Sequence, residues 1–300
     1  MLAYHFGYGE HSEVRRGKRL RPRLLLDVVE NEGGILEDAL DAAAAIEILH
    51  NYSLVHDDIE DHDRLRHGRE TLWARYGVPQ AVNAGDAMCA LAFLELTRAH
   101  DSLPAERCVN LVRVLHAAHL EMCDGQSLDL SFEAEPLVLV RGYERMIAGK
   151  TSALFGAACE MGAICAGTDS AARKRYRAVG RAFGMAFQIH DDVLGIWGST
   201  EATGKTAAND LVRRKWTFPV AWALSATEAS PAQRFKVANA YVSGSSLDAK
   251  QVASVIEALD EMGAREAAHR EIAKHLAVID AQAQGGLRDL LLSTMQLSVP

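Results

Sequence analysis

Two acidic motifs are the residues of this sequence best suited to chemistry: DDIED at 57–61 and DDVLG at 191–195. In a helix, Asp57 and Asp61 lie one turn apart on the same face, with Asp58 beside them. These carboxylates repel one another, and an all-oxygen set favours hard Mg²⁺. Because Mg²⁺ prefers one or two carboxylates plus substrate phosphate, the two motifs predict a pyrophosphate held between two helices.

The alternative interpretation of each motif is a solvated acidic surface on a helix. Both motifs, however, end apolar runs, Leu54-Val55 before the first and Phe187 to His190 before the second. Exposed surface is not expected directly after such runs. Two acidic motifs in matched settings therefore favour metal binding.

Basic segments follow or precede these motifs along the chain. Residues 17–22 (GKRLRP) place three cations beside a glycine, which lets backbone approach an anion closely. A solvated basic arm is the alternative for this segment. Other groups that could meet phosphate oxygens are Arg64, Arg66, Arg69, Lys150 with Thr151 at a predicted break between helices, and Lys205 and Lys215 around a loop at 198–210.

Composition favours an all-α protein. The 300 residues are 49% hydrophobic, which is enough for one large core, and only 7 are proline and 6% aromatic. The net charge of -8 argues against nucleic acid as a partner.

The cysteines and the N-terminal residues indicate where in the cell the protein is located. The five cysteines form no C-x-x-C pair, and their apolar contexts predict reduced, buried thiols in an intracellular protein. Residues 1–13 contain no signal-peptide core, so we expect a cytoplasmic protein. The apolar stretch from Thr151 to Thr168 is short, rich in small residues and interrupted by Glu160, and therefore predicts a buried core helix rather than a membrane span.

Helical periodicity extends over almost the whole sequence, without strand alternation, repeat or low-complexity linker. We predict one compact domain over residues 1–300. Helices are expected from about Leu36 to Asp61, Pro79 to His100, Pro104 to Leu130, Pro136 to Lys150, Thr151 to Ala166 and Asp169 or Ser170 to Ile196, and again around Pro219, Pro231, Leu247 and Arg265.

Five blocks in this order resemble the trans-isoprenyl diphosphate synthases, or polyprenyl synthetases. The blocks are Gly17-Lys18-x-x-Arg21, His50 with Leu54 to Asp58, LRHGR at 65–69, Lys150-Thr151, and FQ-x-x-DD at 187–192. The likeness is dense from Gly17 to Pro219. It implies a bundle of long antiparallel helices around a central substrate cavity, and a homodimer for which the helices between Pro79 and Leu130 are candidates at the interface.

The resemblance also implies a role for each matching residue. Asp57 and Asp61 would hold two Mg²⁺ ions with Asp58 in support, and Asp191 would hold a third. Isopentenyl diphosphate would be bound by Lys18, Arg21 and His50. The allylic diphosphate would be neutralised by Arg66, Lys150, Lys205 and Lys215, while Thr151 and Gln188 would orient its reacting end. The reaction implied is Mg²⁺-dependent prenyl transfer by ionisation, condensation and elimination.

Product length is expected to depend on the residues before the first motif. Tyr52, five residues before Asp57, is bulky, whereas Ser53 is small. This pattern resembles enzymes that make geranylgeranyl diphosphate, with farnesyl diphosphate as the alternative. A purely packing role for Tyr52 remains the other interpretation.

Several positions depart from the family pattern. Gly195 stands where a third aspartate is expected, His67 where a second arginine is usual, and Arg16 where a glycine is usual, and few residues precede the first block. We expect activity to survive Gly195 with an altered Mg²⁺ demand, and binding of isopentenyl diphosphate to depend on pH or on Arg69. Two other functions remain open. A terpene cyclase would carry an Asn/Ser/Glu triad on the second helix, where this sequence has Asp191-Asp192 instead. A catalytically silent binding subunit would lack aspartates of the first motif, which are all present here.

Overall fold

The computed structural model describes residues 1–8, 17–198, 208–227, 230–242, 247–283 and 285–296. Most of them are helical, and the only strands among the rest form a two-stranded hairpin, which confirms the all-α prediction. The α-helices are α1 (Leu2–His5), α2 (Leu20–Asn31), α3 (Leu40–Glu60), α4 (Leu72–Tyr76), α5 (Val78–Thr97), α6 (Ala105–Phe132), α7 (Val140–Ile147), α8 (Ala153–Cys165), α9 (Ser170–Trp197), α10 (Asn209–Val212), α11 (Phe218–Ser225), α12 (Pro231–Val242), α13 (Ala249–Glu261), α14 (Ala264–Gln282) and α15 (Gly285–Gln296).

The chain forms two compact units. The first comprises Met1–Ala117 and Ala157–Lys174, and the second comprises Ala118–Gly156 and Arg175–Pro300. The single domain expected for residues 1–300 stays a prediction.

In the first unit, α3 packs along α5. The first half of α3 is rich in alanine, and its small side chains let a neighbouring helix approach closely; Ile46 and Leu49 on the same helix are fully buried. Burial of a side chain of that size stabilises the fold by roughly 1.5–3 kcal/mol. Further along, Val55 joins a cluster with Ala84 and Met88 of α5. These contacts fix the position of the C-terminal end of α3, which carries the first acidic motif.

A short β-hairpin follows α3 and corrects the expectation that strands are absent. Strand β1 (Leu65–Arg66) pairs antiparallel with β2 (Arg69–Glu70). The two residues between them, His67 and Gly68, both have positive φ, at 51° and 79°. Two left-handed residues form the tight turn that matches the twist of a hairpin, and glycine adopts that conformation without strain. The hairpin carries Arg66 and Arg69.

In the second unit, the buried side chains of α9 recur every three or four residues, as an amphipathic helix requires. Phe183 of α9 packs edge-on against Phe155 of α8, with ring centroids 5.0 Å apart. The side chain of Asp169 accepts a hydrogen bond from the backbone N–H of Ala172 at 2.8 Å, so of the two predicted starting residues, Asp169 and Ser170, it is Asp169 that caps the helix. This packing positions the C-terminal end of α9, which carries the second acidic motif.

Most predicted helices are present within a few residues of the expected boundaries. The helix expected from Pro136 begins at Val140, and the expected break at Lys150 is a π-helical turn, Ala148–Ser152, that joins α7 to α8. Five helices were not predicted: α1, α2, α4, α10 and α15. In addition, a 3₁₀ turn at Glu37–Ala39 precedes α3, and another at Arg98–Asp101 follows α5.

The expectations for thiols and membranes are confirmed in part. All five cysteines are free thiols, and Cys159 and Cys165 are buried, but Cys123 is exposed, so the prediction that every thiol is buried was wrong. Helix α8 is a core helix, as expected. Across the described ranges, every helix is too short or too polar to span a bilayer.

Candidate active site

The first acidic motif occupies the last turn of α3. The backbone N–H of Asp61 donates to the carbonyl of Asp57 at 2.8 Å, so the two residues are stacked one helical turn apart. Both side chains are half-buried, whereas Asp58 is buried. Negative charge is unfavourable at a helix C-terminus, where the macrodipole is also negative. Three aspartates at this position lower the stability of the helix, and their presence therefore indicates a functional role.

Arg66 of the hairpin neutralises Asp58. Its Nε and Nη2 atoms lie 2.9 and 2.8 Å from Asp58 Oδ1. Burial raises the pKa of Asp58, and the hydrogen bond from Arg66 opposes that shift. A buried carboxylate is costly unless it is paired and hydrogen-bonded, so the hairpin satisfies Asp58 in the protein interior. The assignment of Asp57 and Asp61 as the metal ligands stays a prediction.

The residues predicted to bind isopentenyl diphosphate lie in the first unit. Lys18 is exposed before α2, whereas Arg21 and His50 are half-buried on α2 and α3. Burial lowers the pKa of Arg21 to about 10, with Glu47 opposing the shift. Burial, reinforced by the charges of Arg21 and Arg66, lowers the pKa of His50 well below its usual range. His50 is therefore a neutral imidazole near neutral pH, and it can contribute a hydrogen bond but no positive charge.

Arg69 is engaged by the N-terminal segment 1–8. Its Nη2 donates to the carbonyl oxygen of Tyr4 at 2.8 Å, and its guanidinium lies 4.1 Å from the centroid of the Tyr4 ring. The Tyr4 hydroxyl in turn donates to the carbonyl of Glu70 at 3.0 Å. His67, at the hairpin tip, is exposed. The dependence of substrate binding on Arg69 stays a prediction, and it would require Arg69 to leave these contacts.

His5 makes the docking of this segment dependent on pH. Its Nε2 donates to Asn51 Oδ1 at 3.0 Å. Burial lowers the pKa of His5 to about 4; the hydrogen bond to Asn51 opposes this shift, and the charges of Arg66 and Arg69 add to it. Because the folded-state pKa is depressed below 6.5, the neutral ring stabilises the fold above pH 6.5, and this stabilisation is lost as the pH falls through about 4.

We therefore expect His5→Gln to flatten the acid side of the stability profile. Glutamine keeps a donor for Asn51 but does not titrate in this range. Between pH 6.5 and 4, the wild-type protein should lose about 1 kcal/mol more of its free energy of unfolding than the variant, after allowance for solvent screening. Chemical unfolding at a series of pH values measures this difference. Parallel profiles for the two proteins would show that His5 is not the titrating group.

Tyr52 and Ser53 lie one turn before the first motif. Tyr52 is half-buried; its ring packs edge-on against His56 with centroids 4.8 Å apart, and it borders the cluster that contains Val55 and Met88. The hydroxyl of Ser53 donates to the carbonyl of His50 at 2.8 Å. The bulky member of the pair thus lies beside the apolar α3–α5 contact, and its role in chain length stays a prediction.

In the second acidic motif, the two aspartates have different environments. Asp191 is exposed, whereas Asp192 is buried and accepts hydrogen bonds from the Tyr143 hydroxyl and from the backbone N–H of Phe218 at 2.8 Å. Burial raises the pKa of Asp192 to about 7, although these hydrogen bonds oppose the shift. Asp192 is therefore a structural carboxylate that ties α9 to α7 and α11. Asp191 is the member of the pair that faces solvent.

The π turn presents Lys150 and Thr151. Lys150 Nζ lies 2.5 Å from Asp129 Oδ2 of α6, and Thr151 Oγ1 donates to Gln188 Oε1 of α9 at 2.8 Å. Single π turns inside helices are frequent at functional sites. A Cβ built on Gly125 of α6 would lie 2.7 Å from Gly149 C and 2.8 Å from Lys150 Cα, so the turn packs directly on α6.

Sequence reasoning missed Asp129 and Tyr143. Asp129 is one of several acidic residues of α6, so the sequence did not single it out as the partner of Lys150. Tyr143 has no sequence signal either, since its role depends on the fold bringing it to Asp192. Lys215 is exposed, and its positive charge opposes the rise in the pKa of Asp192 that burial causes. Lys205 lies outside the described residues.

The carboxylates present suit Mg²⁺ rather than a metal that needs a full protein cage. Among the described residues, no group of three His, Cys, Asp or Glu side chains is arranged to enclose a metal ion. Mg²⁺ does not require such a cage, because it retains water and shares its coordination with substrate phosphate. The stacked pair Asp57 and Asp61, with Asp58 already neutralised by Arg66, supplies the one or two carboxylates that this ion uses.

Comparison with known proteins identifies similar sequences in one protein family. Residues 8–259 match the family model for polyprenyl synthetase. The chain is 41% identical over 229 residues to a geranylgeranyl diphosphate synthase of Mycobacterium tuberculosis, covering 75% of this chain and 65% of that protein, just under two thirds of its length. It is 36% identical over 302 residues to a (2E,6E)-farnesyl diphosphate synthase of Mycobacterium bovis, covering 99% of this chain and 83% of that protein.

Solved structures of similar sequence also superpose closely on this chain. A polyprenyl synthetase from Streptomyces coelicolor A3(2) superposes with a TM-score of 0.89 at 31% identity, covering all of this chain and 91% of the other. A geranylgeranyl pyrophosphate synthetase from Pyrococcus horikoshii superposes with a TM-score of 0.85 at 33% identity, covering 94% of this chain and 86% of the other.

Proposed function

The chain belongs to the polyprenyl synthetase family, and from this premise we propose that it condenses isopentenyl diphosphate with an allylic diphosphate to form geranylgeranyl diphosphate. Its all-α fold is that of the isoprenyl synthases, and the protein is a trans-prenyltransferase of this class. Farnesyl diphosphate is the alternative product, since relatives named for each product match the chain.

The observation that carries the proposal is the state of the first acidic motif. Asp57 and Asp61 are stacked at the negative end of a helix dipole, while the aspartate between them is neutralised by Arg66. Two carboxylates at this end of a helix are unfavourable on their own, and a bound divalent cation would offset their negative charge. The second motif repeats the arrangement near the end of α9, with one aspartate buried and hydrogen-bonded and the other exposed.

We assign Asp57, Asp61 and Asp191 as the ligands of Mg²⁺, with three ions per active site. Carboxylate oxygens suit this ion, and the buried neighbours Asp58 and Asp192 are already engaged in other contacts. When bound, Mg²⁺ would neutralise the allylic diphosphate and stabilise it as a leaving group.

The basic residues would divide between the two substrates. Lys150, held by Asp129, and Arg66 and Lys215 would neutralise the allylic diphosphate. Thr151 and Gln188, which are hydrogen-bonded to each other, would orient its reacting end. Lys18, Arg21 and His50 would bind the diphosphate of isopentenyl diphosphate, His50 as a neutral donor.

In the reaction, the allylic C–O bond breaks and its electron pair leaves with pyrophosphate. The double bond of isopentenyl diphosphate then attacks the allylic carbon, which forms the new C–C bond. A proton is lost from the resulting cation, and we propose the departing pyrophosphate as its acceptor. The apolar residues around Tyr52 would exclude water from the cation.

Tyr52 is proposed to set the product length. Removing its ring opens space beside the α3–α5 contact, so Tyr52→Ala should shift the main product by at least one isoprene unit. Tyr52→Phe keeps the ring and should retain the wild-type product. Chromatography of dephosphorylated products measures the length. If Tyr52→Ala makes the wild-type product, Tyr52 only packs the core.

We also propose a cytoplasmic homodimer. The first unit exposes apolar side chains on α5 and α6, of which Val82 is 37%, Leu94 65% and Val109 58% exposed. Large exposed apolar side chains on adjacent helices are typical of interaction surfaces. A second copy of the chain would cover them.

The proposed product is tested by incubating the purified protein with Mg²⁺, labelled isopentenyl diphosphate and dimethylallyl, geranyl or farnesyl diphosphate in turn. A labelled twenty-carbon product from each accepted primer is expected. A fifteen-carbon end product would support the farnesyl alternative. Failure to elongate any primer would contradict the proposed function.

A further inference from the structure

The two acidic motifs differ at their last position, which is Asp61 in the first and Gly195 in the second. Gly195 lies one turn after Asp191 on α9, so a side chain there would share a face with Asp191. That space is already filled. A Cβ built on Gly195 would lie 2.7 Å from Asp210 Cγ, and closer still to Asp210 Oδ2.

The position of Asp210 is set by the short helix α10. The carbonyl of Asp210 accepts a hydrogen bond from the backbone N–H of Lys215 at 2.8 Å, which closes the turn after α10. Its side chain is half-buried. The Asp210 carboxylate therefore lies against α9 beside Gly195.

We propose that Asp210 supplies, from outside the motif, the carboxylate that the second acidic motif lacks at Gly195. The absence of a side chain at Gly195 lets the Asp210 carboxylate rest against α9, one turn from Asp191. Asp210 would act as a positioning residue, supporting Asp191 and the water shell of the Mg²⁺–diphosphate complex. This inference rests on the proposed function.

The inference makes Gly195 and Asp210 a coupled pair. The obstructing atoms belong to the end of a flexible side chain, so Gly195→Ala can be accommodated if the Asp210 carboxylate moves away. Alanine is also a better helix former than glycine. Gly195→Ala should therefore leave the melting temperature unchanged or higher, and still weaken Mg²⁺-dependent binding. If the contact were merely structural, the melting temperature and the Mg²⁺-dependent binding would change together.

The test is calorimetric titration of inorganic pyrophosphate at a series of Mg²⁺ concentrations, with the melting temperature of each protein. Asp210→Asn and Gly195→Ala should each raise the Mg²⁺ concentration for half-maximal binding by about tenfold, as removal of partners that support metal ligands does. The double variant Gly195→Asp/Asp210→Asn should recover most of the affinity. Its matched control, Gly195→Ala/Asp210→Asn, lacks only the restored carboxylate and should not recover the affinity.

Two results would overturn the inference while leaving the proposed function intact. One is wild-type Mg²⁺ dependence in Asp210→Asn. The other is equal affinity of the two double variants, because the carboxylate would then have no effect from position 195. If the wild-type protein itself shows no Mg²⁺-dependent binding of pyrophosphate, the proposed function fails and this inference fails with it.

Discussion

Asp57→Asn is expected to lower kcat/KM by at least about 10²–10³-fold, the range measured when one group that stabilises transition-state charge is removed. The loss should fall mainly on kcat, because the carboxylate acts on a leaving group whose charge develops during the reaction. Steady-state kinetics at several Mg²⁺ concentrations measure both constants.

The same substitution should not destabilise the protein. Asp57 lies in the last turn of α3, where removing negative charge relieves repulsion with the helix dipole by about 0.5 kcal/mol. Asp41→Asn is the matched control, because Asp41 lies in the first turn of the same helix, far along the chain from the motif. The control should keep wild-type kinetics. Unchanged kinetics in Asp57→Asn would contradict the assignment of Asp57.

Gly125→Ala is expected to damage both fold and activity. The added methyl group would meet backbone atoms of Gly149 and Lys150, which cannot move aside as the end of a side chain can. Overpacking of this kind costs about 3 kcal/mol of the free energy of unfolding. Relaxation would shift the π turn and displace Lys150, and a displacement of about 1 Å at a positioning group costs about 10²-fold in rate.

Gly142→Ala provides the control for this substitution. Gly142 lies within α7, and a Cβ there would meet only ordinary contacts at 3.7 and 3.9 Å. That variant should be as stable as the wild type or slightly more stable, because alanine favours the helix. Equal stability of the Gly125→Ala and Gly142→Ala variants in denaturant unfolding would show that α6 and the π turn are not in contact as described.

The elements predicted correctly from the sequence are those whose local signals are strong. Helix α3 has an apolar period and an alanine-rich first half, and Pro79 lies in the first turn of α5, so both helices were expected. Helix α2 was missed because residues 17–22 were interpreted only through their basic charges, as an anion-binding segment or, alternatively, a solvated arm. The buried side chains Leu24, Leu25 and Val28 have helical spacing and could have indicated it.

The elements that were missed depend on contacts distant in sequence. Strands of two residues are too short to show alternation, so the hairpin was not predicted, although His67-Gly68 is a sequence that accepts positive φ. The π turn depends on the close approach of Gly125, and the burial of Asp192 depends on Tyr143 and Phe218. The family resemblance already implied Asp57, Asp61 and Asp191 as ligands, whereas the contacts that hold Asp58 and Asp192 are visible only in the structure.

The central claim is condensation of two diphosphate substrates, and its most direct test is the stoichiometry of pyrophosphate release. Wild-type protein is mixed with Mg²⁺, farnesyl diphosphate and labelled isopentenyl diphosphate, and released pyrophosphate is measured together with labelled product. We expect one pyrophosphate for each label incorporated, and little release when isopentenyl diphosphate is omitted. Rapid release from farnesyl diphosphate alone would indicate a cyclase, and no release with farnesyl, geranyl or dimethylallyl diphosphate as the primer would indicate a binding subunit; either result would contradict the account.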